Sequence, residues 1–338
     1  MRIPDDPSRP ILSVVMPTRG RRARLPEVLA PLLDDPLISE IVVVVDGSYD
    51  GSVEWLRDRA VDEPRLVPLS RERSGGAQVA RAEGVARVTG DVVLFLDDDV
   101  IADADLAAGH LARHESGEGM VVVGFMPVAL PEHRRPGQFA SYLYADEYLK
   151  RCADYEDHPE QILRTLWWGN VSMRRADAVA VGLVSDGFGD FYHEDKDFGL
   201  RCLAFGLRGV FDRTLRAQHL HARDIDAFIR DARSQGAGRV MLHRHHPDLI
   251  GDLDPADFAD GLPLPAELLV RGAGSPAVAS ASTAVLRTVA EASGRMGWYG
   301  IETLAGKILR RVNQRAGAES VWRNEAAPTR RAETSGRP

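Results

Sequence analysis

Cysteine, net positive charge and long apolar runs are all scarce or missing in this chain, and each lack removes a class of function. Only two cysteines, Cys152 and Cys202, occur in 338 residues. Far apart and without metal-site spacing, they are expected to be ordinary reduced side chains, not a disulfide framework. Acidic residues outnumber basic ones and leave a formal net charge of −8. A general nucleic-acid binder needs clustered Lys and Arg for its phosphate contacts, so no nucleic-acid partner is expected. No apolar run approaches the roughly 20 residues that span a bilayer, so no transmembrane span is expected. The opening segment, Met1 to Asp6, is polar and contains no apolar leader. The expected location is cytoplasmic, with peripheral contact at the inner membrane face left open.

What is present is more specific. Val92-Val93-Leu94-Phe95-Leu96 runs straight into Asp97-Asp98-Asp99. A continuous apolar run of that length is a buried strand, and its end carries a cluster of negative charge. Adjacent carboxylates repel by several kcal/mol at low dielectric, so a fold keeps them together when a cation or hydrogen-bond donors neutralise them. Hard oxygen ligands favour Mg²⁺ or Mn²⁺. Standing alone, the triplet could equally be a solvated acidic turn. Two more buried strands end in polar residues: Ile11 to Met16 leads into Pro17-Thr18-Arg19-Gly20, and Ile41 to Val45 leads into Asp46-Gly47-Ser48-Tyr49-Asp50. In open parallel sheets ligands bind outside the carboxyl ends of the strands, which places these three exits around one site. Leu25, Val28, Leu29, Leu32 and Leu33 recur at helical spacing after the first strand, and Val79, Ala82, Val85 and Ala86 precede the acidic one. Strand then helix, repeated, predicts an α/β chain with a mostly parallel, Rossmann-like sheet flanked by helices.

The ordered set PTRGR, VVDGSYDGS, the glycine pair Gly75-Gly76 with Ala80-Arg81, and GDVVLFLDDD resembles the signature of the family 2 glycosyltransferases. The resemblance covers about residues 11 to 222, with Trp167-Trp168-Gly169-Asn170 similar to the family's acceptor-side segment and His193-Glu194-Asp195 to its ED element at a helix start. Two departures stand out: Val45 where the family often has a first Asp before Asp46, and Ala82 where it often has Asn after Arg81. The fold implied is GT-A with a helical C-terminal appendage. The activity implied is inverting, metal-dependent transfer of a sugar from a nucleotide-sugar donor, UDP-linked, to an acceptor hydroxyl on a glycan, small metabolite or lipid-linked sugar. Residues 11–105 would form the nucleotide-sugar half and 106–250 the acceptor half, between an N-terminal tail of residues 1–10, a helical region of 251–315 and a disordered tail of 316–338.

Roles follow residue by residue. Asp99 is the expected metal ligand, with Asp97 assisting through the ribose, a water or the metal; Asp98 is harder to place. Asp46 would accept from the base N–H with Pro17 and Thr18 flanking it, while Arg19, Gly76, Arg81, Trp168, Gly169 and Asn170 would line the donor pocket. Asp195 is the expected base, with Glu194 beside it; both also suit a helix N-terminus. Asp197 is read as a surface charge, or an alternative base. His219 and His221 share a strand face and are candidates to complete the Mn²⁺ or Mg²⁺ shell. Asp50 reads as turn chemistry, and His243, His245 and His246 as a solvated helix end without zinc partners. Trp298, Ile301, Leu304, Ile308 and Leu309, followed by Arg310, Arg311 and Arg315, could lie on a membrane, but packing on the domain is the expected arrangement. A sugar-phosphate nucleotidyltransferase is the rival enzyme, echoed faintly by Arg19-Gly20-Arg21-Arg22. A non-catalytic sugar- or nucleotide-binding module is the rival of another class, and Asp99 with Asp195 argues against it.

Overall fold

The structure, a computed structural model, describes residues 10–115, 119–185, 188 and 192–333. The expected N-terminal tail as far as residue 9 and the last five residues of the expected C-terminal tail lie outside them. The chain forms two compact units, one of Met1–Ala129, Tyr148–Asp190 and Asp195–His221, the other of Leu130–Glu147, Phe191–Glu194 and Ala222–Pro338. The helical unit thus begins before residue 251, taking in segments that the sequence assigned to the acceptor half.

The first unit runs β1 (Leu12–Thr18), α1 (Leu25–Asp34), β2 (Ile38–Asp46), α2 (Ser52–Asp62), β3 (Leu66–Arg71), α3 (Ala77–Arg87), β4 (Val92–Leu96), β5 (Val100–Ala102), α4 (Leu106–Glu115) and β6 (Met120–Phe125). After α5 (Phe139–Asp157), whose first half belongs to the second unit, it continues through β7 (Asn170–Arg174), α6 (Arg175–Val181), α7 (Glu194–Ala204) and β8 (Arg208–His219). The eight strands form one sheet in the order β3-β2-β1-β4-β7-β6-β8-β5. The expected parallel arrangement holds across β3, β2, β1 and β4. β7 then runs antiparallel to both β4 and β6. The reason is connectivity: β7 arrives from the long α5 segment, not from a simple strand–helix–strand crossover, so nothing forces its direction.

β1, β4 and β6 are buried at every position, which explains their near-continuous apolar sequence. Gly84 lets α3 lie directly on β1: a Cβ there would meet Val15 Cγ1 at 2.4 Å. That close approach sets the position of Arg81, one turn earlier on the same helix.

The second unit holds α8 (Ile225–His245), α9 (Pro247–Ile250), α10 (Leu264–Gly272), α11 (Pro276–Arg295) and α12 (Tyr299–Glu333). Val240, Phe258, Val270, Val312 and Ala318 make its core. α8 and α12 cross at glycines, since a Cβ on Gly236 would lie 1.8 Å from the Gln314 carbonyl and one on Gly317 would lie 2.0 Å from that of Arg233. Where a disordered tail was expected from Ala316, α12 continues to Glu333; Ala318 is fully buried, and Val321 and Trp322 pack against the same core. Composition signalled polarity there but not the apolar stripe within it.

Candidate active site

The strand exits converge as expected in the first unit. At the end of β1 the buried Thr18 hydroxyl donates to Asp98 Oδ2 at 2.7 Å, which gives the middle carboxylate its partner. Burial, with Asp97 and Asp99 beside it, nevertheless pushes Asp98 up to about 6, against the pull of Thr18 and Arg21. Asp97 takes a 2.8 Å bond from Arg81 Nη2, and the Arg81 guanidinium lies 4.7 Å from the Trp168 ring. Trp168 is itself fixed by edge contact with Phe95 and stacking on Phe198, so it serves as a floor for the cation.

Asp99 is buried between two cationic or ligating groups: His219 Nε2 lies 3.3 Å from Oδ1 and Arg21 Nη2 3.3 Å from Oδ2. Register explains the first contact. β5 pairs with β8 so that Val100 faces His219, and the Leu220 N–H donates to the Asp99 carbonyl at 2.7 Å. His221 makes an edge contact with His219, ring centroids 5.5 Å apart. Pro17 sits inside β1 opposite Val44, and Arg19 reaches the Ser74 hydroxyl at 3.2 Å.

Asp46 is placed at the β2 exit, but its oxygens are engaged. Ser74 Oγ donates at 2.6 Å, the Gly75 and Gly76 N–H groups at 2.9 and 3.0 Å, and Arg71 Nε lies 3.0 Å away. A base N–H would have to share these oxygens with four protein donors. The arrangement holds the loop before α3 closed against β2; a Cβ on Gly47 would strike Ser74 N at 2.3 Å, and Gly47 also has φ +64°. Asp50 is indeed turn chemistry: burial raises its pKa, but bonds from Ser52, Arg22 and Ser48 outweigh it and hold the carboxyl at about 2.

Asn170 points inward. Its amide joins His110 Nε2 at 2.9 Å and the Leu215 carbonyl at 3.0 Å, while Ser172 bridges His110 Nδ1 at 2.7 Å and His114 Nε2 at 2.9 Å. Gly169 has φ +114°, and a Cβ there would lie 2.6 Å from Met126 Sδ and 3.2 Å from Asp97 Oδ2. Only a glycine leaves that space beside the carboxylate open.

Glu194 and Asp195 open α7, preceded by His193 at φ +79°, a conformation rare outside glycine. Burial pushes the Asp195 carboxyl up, with the Lys196 and Arg81 cations and the Lys196 N–H, 2.8 Å from Oδ1, pulling it back. Asp197 is not the surface charge expected: it is buried and paired with Arg201 at 2.9 Å, and Arg201 in turn ties down the carbonyls of residues 181–183. Arg21, Arg71, Ser74 and the His110–Ser172–His114 group were not foreseen as parts of this region. Of these only Arg21, within the basic Arg19–Arg22 run, carried a local signal.

Among the described residues no group of three or more His, Cys, Asp or Glu is spaced to hold a metal ion alone. A substrate-bridged Mg²⁺ or Mn²⁺ needs less, since such ions use one or two carboxylates plus phosphates and waters. Asp99 and the adjacent His219 imidazole, 3.3 Å apart, are side chains that could serve such an ion.

The sequence profile described as glycosyl transferase family 2 matches residues 13–176, the stretch that carries all three strand exits. Residues 13–176 are thus a glycosyl transferase family 2 region. A Bacillus subtilis (strain 168) glycosyltransferase, YfnE, is 24% identical over 251 residues, covering 61% of this chain and 64% of that protein. The glucosyl-dolichyl phosphate glucuronosyltransferase of Haloferax volcanii is 28% identical over 145 residues, 42% of this chain and 45% of that one. The chain thus spans less than two thirds of the length of these curated relatives. Its fold is GT-A: a mannosyltransferase from Pyrobaculum calidifontis, solved with GDP-Man and Mn²⁺, superposes with a TM-score of 0.55 at 16% identity, covering 91% of this chain and 87% of that one.

Proposed function

We propose that this chain is an inverting glycosyltransferase that moves a sugar from a UDP-linked donor to a hydroxyl of a lipid-linked sugar. The observation that carries the reading is the Asp97–Asp99 strand exit, with Asp99 against His219, Asp97 against Arg81, and Asp195 in the same unit. The family match and the dolichyl-phosphate relative support it, the latter for the acceptor class. The sugar–phosphate bond breaks to leave a diphosphate with added negative charge. Arg21 and Arg81, each already bound to a carboxylate of the triplet, supply fixed positive charge there. Asp99, His219 and Asp97 would hold a Mn²⁺ or Mg²⁺ ion, which when bound adds Lewis-acid stabilisation of the leaving diphosphate. Asp195 takes the acceptor hydroxyl proton, and its upward shift brings it closer to the pKa that suits a base near neutrality.

The test is nucleotide release from a panel of UDP- and GDP-sugars with a lipid-linked glycoside as acceptor, followed by NMR of the product. An inverted anomeric centre from a UDP-sugar is expected. Retention, or turnover with GDP-sugars alone, would contradict the corresponding part.

A further inference from the structure

On α11, on α12 and in the turn between them, the helical unit exposes several large apolar side chains. Val285 and Val289 are one turn apart on α11 and are 63% and 40% exposed; Ile301 and Leu304 are one turn apart on α12 at 48% and 54%. Met296 and Trp298, 53% and 55% exposed, bridge them through the turn. Single exposed apolar residues are ordinary on a soluble protein, whereas six on two consecutive helices and the turn that joins them point to a contact surface.

The turn is firmly mounted, so the exposure is not looseness. The Trp298 N–H donates to the Ser293 carbonyl at 2.8 Å. On the inner side Glu302 is fully buried and accepts from Arg134 Nη2 and the Gly137 N–H, both at 2.7 Å, and the Tyr299 hydroxyl donates to the Arg134 carbonyl at 3.0 Å. These bonds bring the 134–137 loop, with exposed Arg135, beside the turn, where Arg295 and Lys307 are also exposed. Glu302 is bound to Arg134, and Glu291 to Arg287 and, at 3.8 Å, Arg295, while Glu132 is exposed just before the same loop. A tryptophan and aliphatic side chains flanked by cations match the depth profile of a bilayer surface, with rings at the headgroup level and cations at the phosphates.

We propose that this tip docks the chain on an anionic lipid surface, with Trp298 and Ile301 entering the headgroup boundary and Arg135, Arg295 and Lys307 over lipid phosphates. A second copy is a poorer occupant, because a two-fold contact would set the same cations against each other. No helix among the described residues is long and apolar enough to cross a membrane, so the contact offered is interfacial. The purpose of the docking rests on the lipid-linked acceptor reading, but the docking is measured without turnover, so either can fail alone.

The experiment floats the full chain with vesicles of phosphatidylcholine alone or containing phosphatidylglycerol. Binding to the anionic vesicles only, weakened by salt, is expected. Trp298→Ser with Ile301→Ser should cut affinity at least about tenfold, and Arg295→Glu with Lys307→Glu by a similar factor, as follows from roughly fivefold per cation. Circular dichroism checks that both variants fold. Absence of flotation with anionic vesicles, or equal flotation of a folded Trp298→Ser, Ile301→Ser variant, would overturn the proposal. So would light scattering that shows a dimer lost in that variant without any vesicle binding.

Discussion

Asp195 and Asp46 carry the sharpest expectations at the scale of single residues. Asp195→Asn keeps the shape of the carboxyl and removes its proton acceptor, so kcat should fall by about 10² to 10⁴ while UDP affinity by calorimetry stays nearly constant. A parallel loss of affinity would instead make Asp195 part of the donor pocket. Asp46 has the opposite profile. It is buried, with Ser74, Gly75, Gly76 and Arg71 all gathered on its carboxylate. Asp46→Ala should therefore lower unfolding free energy by about 3 to 5 kcal/mol in urea denaturation, as expected when one partner of a buried charge is removed. Unchanged stability with weakened UDP binding would return Asp46 to a base-reading role. Residue identity was legible in the sequence where a strand run ends in charge, as at Asp97–Asp99. What each carboxylate bonds to was not, since Arg71 and Ser74 reach Asp46 only through the loop conformation, and Arg21 reaches Asp99 across two strands' exits.

At the scale of elements, the β4–β7–β6 region rests on a polar group behind its strands. Burial pushes both His110 and His114 down to about 4. In the unfolded chain they titrate near 6.5, so between these values the unfolded state binds protons that the native state does not. Their contribution is complete above about pH 6.5 and is lost as pH falls toward 4, by up to about 3 kcal/mol for each histidine. Urea denaturation from pH 7.5 to 4.5 should show that slope, and His114→Asn should flatten it; an unchanged slope would place the titration elsewhere. The α8–α12 crossing gives a second expectation. Gly236→Ala should destabilise the helical unit by about 2 kcal/mol or more, because the new methyl meets backbone and not a movable side chain. A melt indistinguishable from wild type would mean that the helices separate freely. Strands β1, β2 and β4 and helices α1 and α3 were readable from periodicity, whereas the direction of β7 and the length of α12 depend on tertiary contacts that no local pattern encodes.

At the scale of the whole molecule, the family 2 profile spans residues 13–176, most of them in the first unit with its GT-A sheet, and the second unit is a helical body with its own core. The ordered strand exits in the sequence lie in the first unit. The sequence did not locate the start of the helical unit, because α8 reads as one more amphipathic helix until Gly236 and Gly317 are seen to meet backbone. The proposed function makes the strand exit at Asp97–Asp99 a donor-diphosphate site served by a divalent cation. The most direct measurement is nucleotide release from UDP-sugars by the wild type and by Asp99→Ala, each with added Mn²⁺ and with excess EDTA. Release by the wild type with Mn²⁺, its loss in EDTA, and no release by a folded Asp99→Ala variant under either condition are expected. Undiminished release in EDTA, or wild-type rates from Asp99→Ala, would contradict the proposed function.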